Sequence, residues 1–299
     1  MDNQKKAYLF AFIVILFWAT VASAFKITLR FVNNIQLVFW ASLTSLCALF
    51  IILVMEKRIN EFRRYFKIFW TNHLLLGFLN PFLYYLILFK AYSLLPAQQA
   101  QPLNQTWAIV LTFLSALLLR QKIGLKSFLA LFISFSGVVI ISTQGKFTTL
   151  NFSSPLGVFL ALASAFVWAF YWVLNLQEVR EPVIALFSNF IFGTIFILFL
   201  MIFSKQNFVP HFYGIIGGIY IGIFEMGVAF YFWLKALSLS STTARITILV
   251  YLVPFLSLLV IRLTVGEVIS LSTVLGLLLI ICGILIQQLD LIKLAKENK

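Results

Sequence analysis

Glu225 is the one carboxylate that falls near the middle of a long apolar segment of this sequence. A charged side chain at that depth of a bilayer is costly, and it usually faces the protein interior in a functional role. Gly214, Gly218 and Gly222 precede it at intervals of four residues, forming a face on which another helix can approach closely. Glu225 lies three residues further along nearly the same face. The pattern predicts an inward carboxylate that binds a proton or cation; the alternative is a protonated acid that holds a helix contact.

A second group of candidate residues is aromatic. Trp168, Tyr171, Trp172 and Asn175 recur at intervals of three and four, which places them on one helix face with a polar end. Such a face could stack on a planar or cationic solute. Packing in the protein core or at the membrane interface is the alternative for this face. Trp18 occupies the corresponding position of the first apolar segment.

Amide side chains form a third group, since Gln98, Gln101, Asn104 and Gln105 fall within eight residues. Amides in hydrocarbon need hydrogen-bond partners. They either bond to neighbouring helices or line an aqueous path that holds amino, carboxylate or amide groups of a solute, and we favour the path. The predicted substrate-binding set is completed by Asn80 and Tyr84 in the third apolar segment and Thr247 and Tyr251 in the ninth.

Membrane helices are the elements that would position these residues. A chain with 62% hydrophobic residues, 10% charged residues and a mean hydropathy of +1.04 cannot remain dissolved as a globule. A crossing needs roughly 20 helical residues, and the alternating pattern of membrane strands is missing, so we predict an all-α polytopic membrane protein with ten transmembrane helices. The predicted spans are 7–29, 35–55, 70–95, 97–119, 125–143, 156–177, 182–203, 211–237, 242–264 and 268–289.

The positive charge is unevenly distributed between the two predicted sides of the membrane. Of the 22 Lys and Arg residues, 15 fall on the side that holds both termini and 5 on the other. This bias predicts cytoplasmic termini, in what we expect to be the bacterial inner (cytoplasmic) membrane. The net charge of +13 is therefore not a sign of nucleic-acid binding. Residues 56–67 form the longest basic loop, which we expect to contact lipid headgroups.

The second half of the sequence repeats the pattern of the first. Residues 89–94 match 234–239, residues 136–140 match 282–286, and residues 17–19 match 167–169, at offsets of 145, 146 and 150. We therefore predict two five-helix repeats, 1–146 and 147–299. An odd number of helices in each makes the second repeat inverted, which suits alternating access. The alternative is a duplication retained only for folding.

These matching residues resemble the EamA-type family of the drug/metabolite transporter superfamily. The resemblance rests on Trp18-Ala19 and Trp168-Ala169, on Lys90 and Lys235, on residues 251–259 followed by Gly266-Glu267, and on Ser136-Gly137 and Cys282-Gly283. It implies ten helices in two five-helix halves and a carrier function. Residues 103–107 further resemble the fourth helix of exporters for aromatic and other amino acids.

The sequence predicts a secondary transporter. It predicts neither an enzyme nor a protein that binds a metal or cofactor, because it has no nucleophile elbow, Walker loop or metal-ligand cluster. We expect export of small organic solutes, such as amino acids or amphipathic metabolites, through a chamber lined by helices 1, 3, 4, 6, 8 and 9. Glu225 could couple export to protons. Lys90 and Lys235, which we expect to reach the headgroups, keep a sugar-phosphate or nucleotide exchanger as an alternative. A pore or a scaffold is the other alternative.

Overall fold

The fold is all-helical wherever the structure describes it. The computed structural model describes residues 3–68, 70–119, 125–146, 154–175, 181–240, 246 and 248–297. Among these residues, seven helical segments are long and apolar enough to cross a membrane, and Lys126–Ser142 and Leu249–Thr264 are shorter apolar helices. The prediction of an all-α polytopic membrane protein is confirmed, while the count of ten spans stays a prediction.

The helices follow the predicted apolar segments closely at most of their ends. In chain order they are α1 (Asn3–Thr28), α2 (Asn34–Met55), α3 (Ile59–Ile68), α4 (Trp70–Gly77), α5 (Tyr84–Leu94), α6 (Ala97–Asn104), α7 (Trp107–Leu119), α8 (Leu125–Ser142), α9 (Pro155–Asn175), α10 (Pro182–Phe203), α11 (Phe212–Ile221), α12 (Val228–Leu239), α13 (Val253–Thr264) and α14 (Leu271–Glu297). A 3₁₀ turn, Ile248–Leu252, precedes α13.

Two of the long apolar segments are interrupted by π-helical turns. Phe78–Leu83 separates α4 from α5, and Gly222–Gly227 separates α11 from α12. In the first, Asn80 has the extended angles φ −146° and ψ 119°, because the ring of a proline disfavours the helical conformation in the residue before it. The second contains no proline. Such insertions are common at functional sites, and here both occur in candidate segments.

Two predictions of secondary structure are wrong. The fourth apolar segment, predicted as one helix over 97–119, is divided into α6 and α7, which lie on either side of Gln105 and Thr106. Residues 56–67, predicted as a loop, contain the helix α3. Its sequence alternates aromatic and basic residues at helical spacing, which suits an amphipathic helix.

The chain divides into two compact units, each built from two separate stretches. Unit 1 comprises Met1–Phe89 with Glu178–Val265, and unit 2 comprises Lys90–Gln177 with Gly266–Lys299. Each unit therefore draws on both predicted repeats. The repeat boundaries at 1–146 and 147–299 stay a prediction, because a repeat and a compact unit are different divisions of a chain.

In unit 1, α2 and α10 run antiparallel along their whole length. The pairs in order are Asn33 with Gln206 (2.6 Å), Phe50 with Phe187 (5.7 Å between ring centroids) and Arg58 with Glu181 (3.4 Å). Residue numbers rise along one helix as they fall along the other. These are the second and seventh predicted spans, which would occupy equivalent places in the two predicted repeats.

Glycines bring four helices of unit 1 into backbone contact. A Cβ atom at Gly77 would lie within 3.0 Å of the backbone of Asn189 in α10. One at Gly222 would lie 2.5 Å from the carbonyl oxygen of Ala41 in α2. Each glycine immediately precedes or begins a π-helical turn, so both turns are held against a neighbouring helix.

In unit 2, α8 and α14 cross through a reciprocal pair of glycine contacts. A Cβ at Gly137 would lie within 3.0 Å of the carbonyl oxygen of Gly276, and one at Gly283 would lie 2.6 Å from that of Ala130. Gly283 follows Gly137 by 146 positions, and Gly276 follows Ala130 by the same interval. The later residues of α8 meet the earlier residues of α14, so these helices are also antiparallel.

Candidate functional site

Glu225 lies in the π-helical turn Gly222–Gly227 of unit 1 and is partly buried. The hydroxyl of Tyr85, whose side chain is fully buried, donates a hydrogen bond of 3.1 Å to Glu225 Oε1. Of the ion pairs formed within the described ranges, none includes Glu225. A carboxylate held by a phenol without a basic partner can accept a proton or bind a cation. Sequence reasoning identified Glu225 but did not identify Tyr85 as its partner.

Asn80 occupies the other π-helical turn, 145 positions before Glu225. Its side chain is fully buried, and neither amide atom forms a hydrogen bond with another described residue. Tyr84, also predicted, packs against Tyr85 at 4.7 Å between ring centroids. Because a buried amide without partners is unfavourable, the position suits a polar ligand.

Trp18 belongs to an aromatic cluster within unit 1. Its ring centroid lies 5.4 Å from that of Trp233 and 6.3 Å from that of Phe230. The indole Nε1 is buried and forms no hydrogen bond with a described residue. Tyr251 is buried in the 3₁₀ turn that precedes α13, whereas Thr247 lies outside the described residues.

The predicted aromatic face of α9 is formed in unit 2. The rings of Trp168 and Tyr171 stack with centroids 5.5 Å apart, and Trp172 meets Trp168 edge-on at 5.7 Å. Asn175 Nδ2 donates to the carbonyl oxygen of Tyr171 at 2.9 Å. The three rings therefore form one aromatic cluster, in which Trp168 and Tyr171 are buried, and Asn175 is engaged with its own helix.

The four predicted amides in and beside α6 fall into two pairs. Gln98 and Asn104 are held by protein groups: Asn104 Nδ2 donates to Ser164 Oγ at 2.9 Å, and Gln98 bonds to the segment that precedes α14. In contrast, Gln101 Oε1 and Gln105 Nε2 are buried without a hydrogen bond to a described residue. Gln101 and Gln105 are therefore the better-placed candidates for a solute.

Glu267 is an important polar residue that the sequence analysis did not place in a role. Its carboxylate accepts hydrogen bonds from the backbone N–H groups of Ala97 (2.8 Å) and Gln98 (3.0 Å), at the start of α6. The first N–H groups of a helix lack helical partners, and a negative charge there is favourable. The Gly266-Glu267 pair could have suggested this, since Gly266 has φ +77°, a conformation that glycine adopts readily.

Replacing Glu267 by alanine is expected to destabilise unit 2 by about 1–2 kcal/mol, because two N–H groups at the start of α6 lose their acceptor. The thermal midpoint of the purified protein measures the loss. Glu61→Ala serves as the control: it removes an exposed carboxylate whose partly exposed ion pair with Arg58 contributes only about 0.2–1 kcal/mol, so it should lower the midpoint less. Equal midpoints for the two variants would contradict the capping role.

A charged network lies at the end of α2, where Glu56 receives two hydrogen bonds from α12. Tyr231 Oη donates at 2.5 Å and Lys235 Nζ pairs at 2.8 Å with Glu56 Oε1. Arg58 lies 3.8 Å from Glu56 and binds Glu61 at 2.7 Å. The sequence predicted that Lys235 extends to the headgroups, whereas the structure pairs its ammonium with Glu56.

The network predicts an acid-sensitive contribution to stability. Burial raises the pKa of Glu56, but hydrogen bonds from Lys235 and Tyr231 and the positive charges of Lys235 and Arg58 outweigh it, so that this pKa lies below its usual 4.5. A carboxyl whose pKa is depressed by folding stabilises the folded state above its unfolded pKa, and this contribution is lost as pH falls through the folded pKa. Glu56→Gln should lower the thermal midpoint at neutral pH and remove this part of the acid destabilisation. An unchanged pH profile of the midpoint would contradict it.

Comparison with known proteins places these observations in a family. The fold is that of a polytopic membrane protein. The model of the EamA-like transporter family matches residues 5–143 and again residues 155–287. The chain therefore belongs to the EamA-like transporter family.

The relatives agree with this assignment. The chain is 26% identical over 293 residues to the uncharacterized transporter YvbV of Bacillus subtilis, covering 95% of this chain and 92% of that protein. It is 28% identical over 219 residues to an uncharacterized transporter of Acidianus ambivalens, covering 70% and 81%. A crystal structure of a protein matches the fold with a TM-score of 0.67 at 21% identity, over 97% of this chain and 99% of the other.

Proposed function

We propose that this protein is a secondary transporter that exports small organic solutes across the inner (cytoplasmic) membrane by alternating access, with Glu225 as the proton-binding group. The observation that carries the proposal is the pairing of Glu225 with buried Tyr85 inside a π-distorted transmembrane segment. A structural acid would be expected to hold a partner of opposite charge or a second helix through several bonds. Among the residues that the structure describes, Glu225 instead has one phenolic donor and no ion pair, so its protonation would change the site without breaking an ion pair there.

The packing of equivalent helices supports the inverted repeat on which alternating access depends. The reciprocal contacts Gly137 with Gly276 and Gly283 with Ala130 are related by one interval. Both α8 with α14 and α2 with α10 run antiparallel, as members of repeats with opposite orientation must. Two such repeats can exchange conformations and expose a site to each side in turn.

Two features favour a neutral or zwitterionic solute with an aromatic or amphipathic body. The stacked rings of Trp168 and Tyr171 offer a surface for a planar or cationic group. The polar atoms available on Gln101 and Gln105 are those of neutral amides. A phosphorylated solute would need basic side chains, and Lys235, one of the two candidates, is already paired with Glu56. Amino acids are therefore the first class to test.

A binding screen followed by a transport assay tests the proposal. Thermal midpoints of the purified protein should rise with a subset of amino acids or amphipathic amines and not with sugar phosphates or nucleotides, since a ligand stabilises the state that binds it. Proteoliposomes loaded with the hit compound should then show saturable counterflow of labelled solute. Flux that rises linearly without saturation would indicate a pore, and no flux would indicate a scaffold.

A further inference from the structure

The helix α3 has an aromatic face that is packed against unit 1. The ring of Phe62 lies 5.1 Å from that of Phe187, and the ring of Phe66 lies 5.6 Å from that of Phe192, both in α10. Phe66 also stacks on the buried side chain of His73 at 5.6 Å. These contacts fix the rotation of α3 about its own axis.

Two exposed arginines of α3 lie outside its aromatic face. Successive residues of a helix are turned by about 100°, so Arg64 lies opposite the face formed by Phe62 and Phe66, and Arg63 lies at the side of that face. Both side chains are exposed, and neither forms an ion pair with another residue in the described part of the chain. Arg58, by contrast, is engaged by acidic groups.

Apolar residues at both ends of α3 place these arginines at the edge of a bilayer. Met55, the last residue of α2, is 75% exposed, and Ile68 and Trp70 are 60% and 53% exposed. In a membrane protein such side chains contact lipid, and tryptophan favours the interfacial layer. A short amphipathic helix between two spans therefore lies at the level of the headgroups.

From this placement we propose that α3 binds anionic phospholipid headgroups through Arg63 and Arg64. The charge is complementary to a phosphodiester, which a guanidinium can engage through two parallel hydrogen bonds. The aromatic face is already occupied by α10, so the basic face is the one available to a ligand. The lipid would hold α3 against the membrane surface. Because Arg58 immediately precedes α3 and lies beside Glu56, the lipid would also hold the charged network around Glu56 there.

The test measures lipid binding by the full-length protein in an uncharged detergent. Native mass spectrometry with short-chain phosphatidylglycerol and phosphatidylcholine gives the affinity of each lipid. We expect tighter binding of phosphatidylglycerol, weakened about tenfold or more in Arg63→Gln/Arg64→Gln, since each basic residue near an anionic surface contributes measurably. The charge-matched control is Arg30→Gln/Arg262→Gln, which removes two exposed arginines elsewhere.

A third variant, Arg63→Lys/Arg64→Lys, retains charge and should retain most of the preference for phosphatidylglycerol, even if the glutamine variant folds poorly. Equal affinity of the wild-type protein for both lipids would overturn the proposal. So would equal losses in the α3 variant and the control, or loss in the lysine variant as large as in the glutamine variant. Full competition by soluble glycerol phosphate would show a site for a free phosphate rather than for lipid.

Discussion

Replacing Glu225 by glutamine is expected to abolish accumulation driven by a pH gradient while leaving counterflow intact. Glutamine keeps the shape and can still accept the hydrogen bond from Tyr85, but it cannot exchange a proton at physiological pH. A gradient of one pH unit is worth about 1.4 kcal/mol per proton, which supports a roughly tenfold concentration ratio for one coupled proton. In proteoliposomes the variant should therefore reach a ratio near one, where the wild-type protein reaches about ten.

Two matched variants make this result specific to the site. Tyr85→Phe keeps the ring and removes the donor, so it should shift the pH dependence of transport without abolishing it. Glu61→Gln makes the same change of charge at an exposed carboxylate outside the spans and should behave as wild type. Full gradient-driven accumulation by Glu225→Gln would remove the coupling role and leave a passive facilitator.

Much of the site around Glu225 was predictable from the sequence, because the cost of a charge in hydrocarbon singles that residue out. The repeat offset also predicted that Asn80 stands at the equivalent position of the third apolar segment. Tyr85 could not be found in this way, since it is 140 positions from Glu225 and nothing local relates them. Periodicity identifies the face of a helix but not the side chain on the facing helix.

The amides of the fourth apolar segment show a second limit of sequence reasoning. Gln98, Gln101 and Gln105 lie within eight residues of sequence, and all were predicted to bind solute. In the structure Gln98 Oε1 accepts from Ser270 N and Thr273 Oγ1, and Glu267 caps the same helix end. A polar side chain near the start of a helix can form hydrogen bonds within the protein instead of binding a solute. Which of the two it does depends on residues that are distant in the sequence.

The sequence predicted the helices well where they follow from the length of an apolar segment. It predicted them poorly where a helix is locally distorted or divided. The π-helical turn at Gly222–Gly227 has no proline and no marker in the sequence. It becomes possible because Gly222 lets the turn lie directly on α2. The basic residues of α3 indicate a cytoplasmic segment but not its conformation, whereas the spacing of Phe62 and Phe66 four residues apart is typical of a helix.

Introducing valine at Gly137 or Gly283 is expected to open the crossing of α8 and α14 and to destabilise unit 2 by about 3 kcal/mol, because overpacking of a close contact forces backbone shifts. At both positions the new Cβ would meet the backbone of the facing helix: the carbonyl oxygen of Gly276 for Gly137, and that of Ala130, together with the hydroxyl of Ser134, for Gly283. Thermal midpoints and the yield of monodisperse protein measure the loss.

The pair of variants also tests the symmetry between the two repeats. Because the two glycines have equivalent surroundings in the two repeats, Gly137→Val and Gly283→Val should lower the thermal midpoint by similar amounts. Combining them should cost less than the two losses added together, since one opened crossing relieves both clashes. Ser136→Val, at the exposed position beside Gly137, adds a similar branched side chain without a clash and should leave the midpoint nearly unchanged. A large loss at one glycine with none at the other would contradict a reciprocal contact between equivalent helices.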